Sequence, residues 1–294
     1  MNKKINGVLT AIVTTFDREG AFDPERQREQ VRRQINAGNG IFCGGTNGEF
    51  FVLNEQEKIA VTTTCVDEVN GQASVVAHIG EISTRETIRL GKQIARLGVD
   101  AVSAITPWFV PLNQQELIDH YQRVADALTV PLFLYNIPAR TGNTLQPETV
   151  RTLAAHPNII GIKDSAGSYE SLSGFLQATA DCQDFAVLNG PDSLIHQGFV
   201  DGCSASISGL ANVAPEAINA IWARFHAGDI AGSHQAQENV TGLRTALYSI
   251  GFSPAAVKKA VSLQGFEVGE SRYAVQFSAE EQQQIRQIVN HYLQ

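Results

Sequence analysis

The pattern that decides the fold is visible in residues 158–167, NIIGIKDSAG. After Asn158, the apolar run from Ile159 to Ile162 is typical of a buried strand, Lys163 ends it, and a polar turn follows. Burying an ammonium group is costly unless the group is paired or neutralised. A lysine at the tip of an apolar strand therefore requires a structural or chemical reason.

Similar apolar runs recur along the chain and alternate with longer amphipathic segments. Strands are predicted over Val8–Thr15, Ile41–Cys43, Val75–Ile79, Ala101–Ile105, Leu132–Tyr135, Ile159–Lys163, Ala186–Leu188 and Cys203–Ile207. Helices are predicted between them, over Pro24–Ala37, Glu55–Val69, Thr84–Leu97, Gln114–Leu128, Pro147–Ala155, Ser171–Thr179, Ser193–Phe199 and Pro215–His226.

Eight strand-then-helix units, each about 30 residues long, predict an α/β fold, the (β/α)8 TIM barrel. A doubly wound open sheet is the structural alternative. It is weakened because VTTFDREG, after the first strand, lacks the glycine-rich nucleotide fingerprint. From about Gly228 to Gln294 the sequence looks helical, so we expect a barrel over residues 1–227 and a C-terminal helical extension over residues 228–294.

Several predicted helices carry start signals of their own. Asn54 and Ser83 are candidate N-caps, followed three residues later by Glu57 and Glu86. Pro147 stands at a first helical turn. These signals agree with the strand–helix alternation.

Composition narrows the partners and the location of the protein. The 294 residues are 43% hydrophobic, and 22 Lys and Arg against 30 Asp and Glu give a net charge of −8 without long charged runs. Nucleic acid and anionic membrane surfaces are therefore unexpected partners. No apolar stretch approaches the ~20 residues that span a membrane. The start MNKKINGVLTAIVTTF indicates a first strand more than a signal peptide, so we expect a cytoplasmic protein.

The cysteines form no metal or disulfide pattern. They are far apart and include no CxxC pair, at Cys43, Cys65, Cys182 and Cys203. Free, mostly buried thiols are expected, and no metal site.

The active site of a TIM barrel lies at the carboxyl ends of the strands. Four polar segments occupy such places here: CGGTNGEF after the second strand, TPWF after the fourth, YNIPARTG at the end of the fifth, and IKDS at the end of the sixth. The candidate functional residues come from these segments.

Lys163 and Tyr135 are the candidate catalytic pair. A lysine whose stem packs on the barrel surface and a core tyrosine are the structural alternatives. Burial of a lysine disfavours its charged form, and the free amine is the form that attacks a carbonyl to give a Schiff base. A phenol beside it could move protons during imine formation.

The other two segments offer anion-binding groups. Backbone N–H groups and the side chains of Thr46 and Asn47 in GGTNGEF suit a carboxylate or phosphate, although glycines alone are a weak signal. Glu49 is expected to order this loop through hydrogen bonds, with a catalytic role as the alternative. Arg140 either stabilises its loop or receives a substrate carboxylate in a bidentate manner.

The motifs GGTNGEF, TPWF, YNIPARTG, GIKDS and SISGLANVAPE, in this order, resemble those of the dihydrodipicolinate synthase / N-acetylneuraminate lyase family of Schiff-base aldolases. The resemblance covers essentially the whole chain. It implies that Lys163 forms a Schiff base with pyruvate or another 2-oxo acid and that Tyr135 transfers protons. It also implies that Thr46 and the Asn47 backbone hold the 2-oxo acid's carboxylate, and that the pocket is lined by Gly190 and Ile207. Members need no metal or organic cofactor and are commonly tetramers built from dimers.

Three positions bear on the substrate. The synthases usually have a second threonine where Asn47 stands, and a tyrosine of a proton relay, contributed across a subunit contact, where Phe109 stands. Phe109 has no hydroxyl, so the relay of the synthases is broken. Arg140 resembles the synthase arginine that receives the carboxylate of the aldehyde substrate.

We therefore expect a lyase that acts on a 2-oxo acid and an acidic aldehyde, by aldol cleavage or condensation, or that dehydrates a 2-oxo-3-deoxy sugar acid. A genuine 4-hydroxy-tetrahydrodipicolinate synthase is the alternative. A non-catalytic protein that binds a 2-oxo acid is an alternative of another class.

Overall fold

A computed structural model describes residues 5–293, so the predictions for residues 1–4 and 294 lie outside the described residues. The described strands follow one another in the order of a closed, all-parallel barrel, which confirms the predicted fold class. They are β1 (Gly7–Ala11), β2 (Gly40–Cys43), β3 (Val75–His78), β4 (Ala101–Ile105), β5 (Leu132–Asn136), β6 (Ile159–Asp164), β7 (Ala186–Asn189) and β8 (Ala205–Ser208).

Helices connect the strands and continue beyond the last one. Those up to β8 are α1 (Pro24–Asn36), α2 (Glu55–Val69), α3 (Thr84–Ile94), α4 (Gln114–Asp126), α5 (Pro138–Thr141), α6 (Pro147–Ala154), α7 (Tyr169–Ala178) and α8 (Ile195–Val200). The remaining helices are α9 (Pro215–His226), α10 (Ile230–Tyr248), α11 (Ser253–Leu263) and α12 (Ala279–Leu293).

The chain divides into two compact units, of which the first contains Ser74–Ile207. In this unit β3 to β8 pair in parallel, each with the next. The strands are almost continuously buried and apolar, as expected where helices cover a parallel sheet. The first unit therefore contains β5 and β6, which carry Tyr135 and Lys163.

The second unit contains Gly7–Ala73 and the C-terminal part of the chain from Ser208. Here β1 pairs with β2, and α9 packs on both β1 and α10. α11 and α12 pack on each other. This unit contains the GGTNGEF loop.

The predicted elements are confirmed, with shifted ends. The largest error is in β1, which ends at Ala11 and not at Thr15. Residues 12–15 remain buried, but their backbone and side chains bond to other segments; Val13 N–H, for example, donates to Asn212 Oδ1. β8 begins at Ala205, two residues later than predicted, because residues 201–204 form the turn before it.

Other differences concern helix ends. α7 begins at Tyr169, before the predicted Ser171, because Ser168 caps it by accepting from Ser171 N–H. The segment predicted as one helix from Ser193 consists of a 3-10 turn followed by α8. The boundary at residue 227 between a barrel and an extension stays a prediction.

The predicted caps are present. Asn54 Oδ1 accepts from Glu57 N–H while the Glu57 carboxylate accepts from Asn54 N–H, a complete capping box. Ser83 Oγ accepts from Glu86 N–H. These bonds satisfy N–H groups that the first turn of a helix leaves without backbone partners.

None of the cysteines of residues 5–293 forms a disulfide, and each is buried except the half-buried Cys182. The expectation of mostly buried thiols outside any disulfide is confirmed. Within residues 5–293, none of the helices combines the length and the apolar character needed to cross a membrane.

Candidate active site

Lys163 and Tyr135 lie side by side near the carboxyl ends of β6 and β5. The two residues are register partners, and Lys163 Nζ is 3.9 Å from the centre of the Tyr135 ring. Their exposed fractions are 4% and 2%. Lys163 and Tyr135, the pair predicted from the sequence, are thus adjacent and buried, with the lysine amine beside the phenol ring.

A second row of polar side chains follows one residue later on the same strands. Asn136, Asp164, Asn189 and Ser206 are successive register partners on β5 to β8. Because successive side chains of a strand point to opposite faces, this row faces away from Tyr135 and Lys163. All four residues are at most 1% exposed.

Hydrogen bonds connect this row in pairs. Asn136 Nδ2 donates to Asp164 Oδ1 at 2.8 Å, and Asn189 Nδ2 donates to Ser206 Oγ at 3.0 Å. Among the described residues, Asp164 Oδ2 and Asn189 Oδ1 have no hydrogen-bond partner. Burial, opposed by the bond from Asn136, raises the pKa of the Asp164 carboxyl. The Asn136–Asp164 bond joins β5 to β6 directly behind the lysine and the tyrosine.

Gly190 and Ile207 lie at the ends of the next two strands. Gly190 N–H donates to the Asp164 carbonyl at 2.8 Å, and a Cβ at this position would stand 2.0 Å from Ser165 Oγ. Only a glycine therefore fits at position 190, where the backbone lies against the end of β6. Ile207 is 2% exposed on β8. Their roles in lining a pocket stay predictions.

Phe109 and Arg140 lie in the loops after β4 and β5. Phe109 has a left-handed backbone with φ of 76°, and its side chain is 90% exposed. Arg140 is exposed in α5. The ring of Phe109 therefore faces solvent in its own unit, whereas the side chains of Lys163 and Tyr135 are buried.

The second unit holds Thr46 and Asn47, both half-buried, in a tight turn. Glu49 N–H donates to the Thr46 carbonyl at 3.1 Å, and Thr14 Oγ1 donates to the Gly48 carbonyl at 2.6 Å. The Asn47 amide lies against Gly209, where a Cβ would be 2.9 Å from Asn47 Nδ2. The loop is thus ordered by groups on either side of it.

A buried ion pair fixes the end of this loop. Glu49 has φ of 58°, and its Oε1 accepts from Lys258 Nζ at 2.7 Å, while its Oε2 accepts from Arg272 N–H at 3.0 Å. Glu49 is 1% exposed and Lys258 2%. Burial lowers the pKa of Lys258 to about 8, although Glu49 acts to raise it. Glu49 therefore has the loop-ordering position that the sequence analysis favoured.

No three His, Cys, Asp or Glu side chains of residues 5–293 are grouped so that they could hold a metal ion. The expectation that the protein needs no metal and no organic cofactor stays a prediction.

The sequence patterns did not identify four residues that organise these segments: Asn136, Asn143, Asp164 and Lys258. Asp164 and Asn136 could have been found, because each is a polar residue at the end of an otherwise apolar strand. Lys258 stands in the apolar stretch PAAVKKAV and pairs with a residue 209 positions away, so no local pattern identifies its partner. Asn143 looks like an ordinary turn residue.

The barrel topology, together with a buried lysine and tyrosine at the carboxyl ends of neighbouring strands, defines a class of TIM-barrel proteins whose functional groups stand at that end of the sheet. The family model described as "Dihydrodipicolinate synthetase family" matches residues 4–292. The chain belongs to this family, and its members are lyases.

Relatives and solved structures agree with the assignment. A protein of Halobacterium salinarum described as an uncharacterised DapA-like lyase is 37% identical over 91% of this chain and 87% of its own. The 4-hydroxy-tetrahydrodipicolinate synthase of Geobacter sulfurreducens is also 37% identical, over 88% of each chain. The structure of YagE, an Escherichia coli K12 prophage protein of the dihydrodipicolinic acid synthase family in complex with pyruvate, matches with a TM-score of 0.93 at 28% identity, over 98% of both chains.

Proposed function

We propose that the chain is a lyase that forms a Schiff base between Lys163 and a 2-oxo acid such as pyruvate. The observation that carries this proposal is the position of Lys163 Nζ, 3.9 Å from the Tyr135 ring centre in a buried place. The solved relative from Escherichia coli, which is described in complex with pyruvate, supports the same class of ligand.

The chemistry follows from the two groups. The free amine of Lys163 attacks the carbonyl carbon of the 2-oxo acid, and the resulting carbinolamine loses water to give an iminium ion. Loss of a proton from the neighbouring carbon gives an enamine, which adds to an aldehyde; the reverse sequence cleaves an aldol. We assign the proton transfers to the Tyr135 hydroxyl. Thr46 and the Asn47 backbone are assigned to the 2-oxo acid's carboxylate.

The second substrate follows from Arg140. An exposed guanidinium in the loop after β5 suits a carboxylate, so we propose an acidic aldehyde or a 2-oxo-3-deoxy sugar acid. A genuine 4-hydroxy-tetrahydrodipicolinate synthase is the second candidate, supported by Arg140 and by the name of the Geobacter relative. Phe109 disfavours this second candidate, because its side chain lacks the hydroxyl of the synthase proton relay.

We further propose a cytoplasmic homotetramer, a dimer of dimers, without nucleic-acid or membrane partners. The family resemblance supports the tetramer. We assign the contact between two copies to exposed apolar side chains. These are Ile82, Phe109 and Val110, which are between 51% and 90% exposed.

Borohydride trapping tests the mechanism. Reduction in the presence of pyruvate is expected to add the mass of one reduced pyruvate, and peptide mapping to place it on Lys163. Lys163→Ala should form no adduct, while Lys259→Ala, a lysine outside the site, should react like the parent. An unchanged mass with pyruvate and with a panel of other 2-oxo acids would refute the proposal.

A substrate screen then separates the candidates. Pyruvate formation or consumption is followed with aspartate semialdehyde, N-acetylneuraminate and 2-oxo-3-deoxy sugar acids. Turnover of aspartate semialdehyde that rises in Phe109→Tyr identifies a synthase with an incomplete relay. Adduct formation without turnover of any of these compounds favours the non-catalytic alternative.

A further inference from the structure

One buried side chain joins the loop that carries Phe109 to the loop that carries Arg140. Asn143, 3% exposed, follows α5. Its Nδ2 donates to the Pro107 carbonyl at 2.7 Å and to the Val110 carbonyl at 2.9 Å, and its Oδ1 accepts from Leu112 N–H at 2.8 Å. The Asn143 side chain thus supplies hydrogen-bond partners for three backbone groups of the 107–112 loop.

These bonds account for the unusual backbone of Phe109. Because one NH2 group holds the carbonyls of Pro107 and Val110, the chain between them must turn within two residues, Trp108 and Phe109. A left-handed backbone is strained for a non-glycine residue and persists only where surrounding contacts impose it. The Asn143 bonds are such contacts, and they direct the Phe109 side chain outward.

Asn143 is itself held next to Arg140. Thr141, the residue after Arg140, has its Oγ1 3.0 Å from the Asn143 carbonyl and 3.2 Å from Asn143 N. Thr106 Oγ1 at the end of β4 donates to Thr141 Oγ1 at 2.8 Å. A shift of either loop would therefore break bonds that hold the other.

We propose that Asn143 is a positioning residue that couples the loop of Phe109 to the loop of Arg140 and so holds Arg140 in place in the second-substrate half of the site. The proposal rests on the function proposed above, in which Arg140 receives the second substrate. The proposed role of Asn143 does not extend to Lys163 and Tyr135. The alignment of those two side chains is supported by the hydrogen bond between Asn136 and Asp164.

The chain offers a matched control in Asn158. Its Nδ2 donates to the carbonyl of Ala125, in the last turn of α4, and to those of Leu128 and Val130 in the following loop, at 3.0–3.2 Å. Asn158 precedes β6, at the end of the strand opposite to Lys163. Asn143→Ala and Asn158→Ala thus remove comparable sets of bonds, but only the first touches the candidate site.

A fluorescence experiment tests the positioning role without any substrate. The chain has two tryptophans, Trp108 and Trp222, so Trp222→Phe leaves Trp108 as the reporter inside the loop. In this background Asn143→Ala should raise the acrylamide quenching constant of Trp108, while Asn158→Ala leaves it unchanged. Asn143→Asp keeps the acceptor for Leu112 but loses both donor bonds, and it should match Asn143→Ala. Equal quenching in the two alanine variants would overturn the proposal.

Trapping with pyruvate and borohydride then tests which half is affected. In Asn143→Ala, formation of the Lys163 adduct should depend on the pyruvate concentration in the same way as in the parent. For any aldehyde that the parent turns over, kcat/KM should fall by about 10²-fold, as is typical of a 1 Å misplacement. Weakened adduct formation would overturn the assignment to the second-substrate half. Absence of an adduct in the parent would refute the proposed function, while the quenching result would still decide the positioning role.

Discussion

Lys163 and Tyr135 are direct register partners on β6 and β5, with the lysine Nζ 3.9 Å from the centre of the tyrosine ring. One hydrogen bond behind them, between Asn136 and Asp164, joins the same two strands at the next register position. The alignment of amine and phenol is therefore fixed by strand pairing and by a buried side-chain bond, and not by a flexible loop.

Replacing Tyr135 by phenylalanine should slow imine formation with pyruvate by about 10²- to 10⁴-fold, because positioned proton transfer contributes that much. The rate is measured by rapid quench with borohydride. Tyr248→Phe is the control, since Tyr248 lies in α10, where Arg244 packs over its ring. Equal rates in the two variants would show that the Tyr135 hydroxyl has no part in the chemistry.

Replacing Asp164 by asparagine should leave the free energy of unfolding within about 1 kcal/mol of the parent at low pH, whereas Asp164→Ala should lose about 1–3 kcal/mol. An amide resembles a neutral carboxyl and keeps an acceptor for Asn136.

The pKa of Asp164 is higher in the folded than in the unfolded chain, so its contribution to stability is present below the unfolded pKa and is lost as pH rises through the folded pKa. Asp164→Asn should lack this loss. Denaturant unfolding at a series of pH values measures it, and identical pH slopes in parent and variant would contradict the assignment.

His120 should make the protein sensitive to acid. Burial, reinforced by the positive charge of Arg123, lowers its pKa to about 4, while Nδ1 is 2.8 Å from Thr84 Oγ1. The folded state thus binds fewer protons than the unfolded state between about pH 6.5 and 4, and acidification through this window should cost about 3 kcal/mol. His120→Asn should remove most of that loss in unfolding experiments at pH 7 and pH 4. A variant that loses as much stability as the parent would refute the prediction.

Replacing Lys258 by methionine should cost about 3–5 kcal/mol, because the Glu49 carboxylate is then left buried without its charged partner. Adding Glu49→Gln should recover part of this loss in a double-mutant cycle. Lys259→Met, which breaks the pair with the exposed Glu270, should cost no more than about 1 kcal/mol. A double variant as unstable as the sum of the single ones would show that the two side chains do not interact.

Phe109→Gly should be more stable than Phe109→Ala by about 1 kcal/mol, because both lose the ring but only glycine adopts a φ of 76° without strain. Thermal or denaturant unfolding of the two variants gives the difference directly. An alanine variant as stable as the glycine variant would mean that the backbone relaxes out of the left-handed conformation.

Local sequence patterns predicted most of the fold, because the spacing of nearby apolar and polar residues indicates strands and helices. Alternating apolar runs and amphipathic segments identified the strand–helix units, and the Asn54–Glu57 capping box places the start of α2 where the sequence indicates. The strand ends were less well predicted. β1 stops at Ala11 although the apolar pattern continues, since residues beyond it bond to distant segments such as Asn212.

The sequence by itself determined the barrel and the candidates Lys163 and Tyr135, because a polar residue at the end of an apolar strand is visible locally. Only the tertiary structure decided which groups support them. Lys258 reaches Glu49 across 209 positions, and Asn143 reaches Pro107 across 36. A hydrogen bond depends on the distance between two atoms in space, and the fold brings these atoms together from segments that share no local pattern.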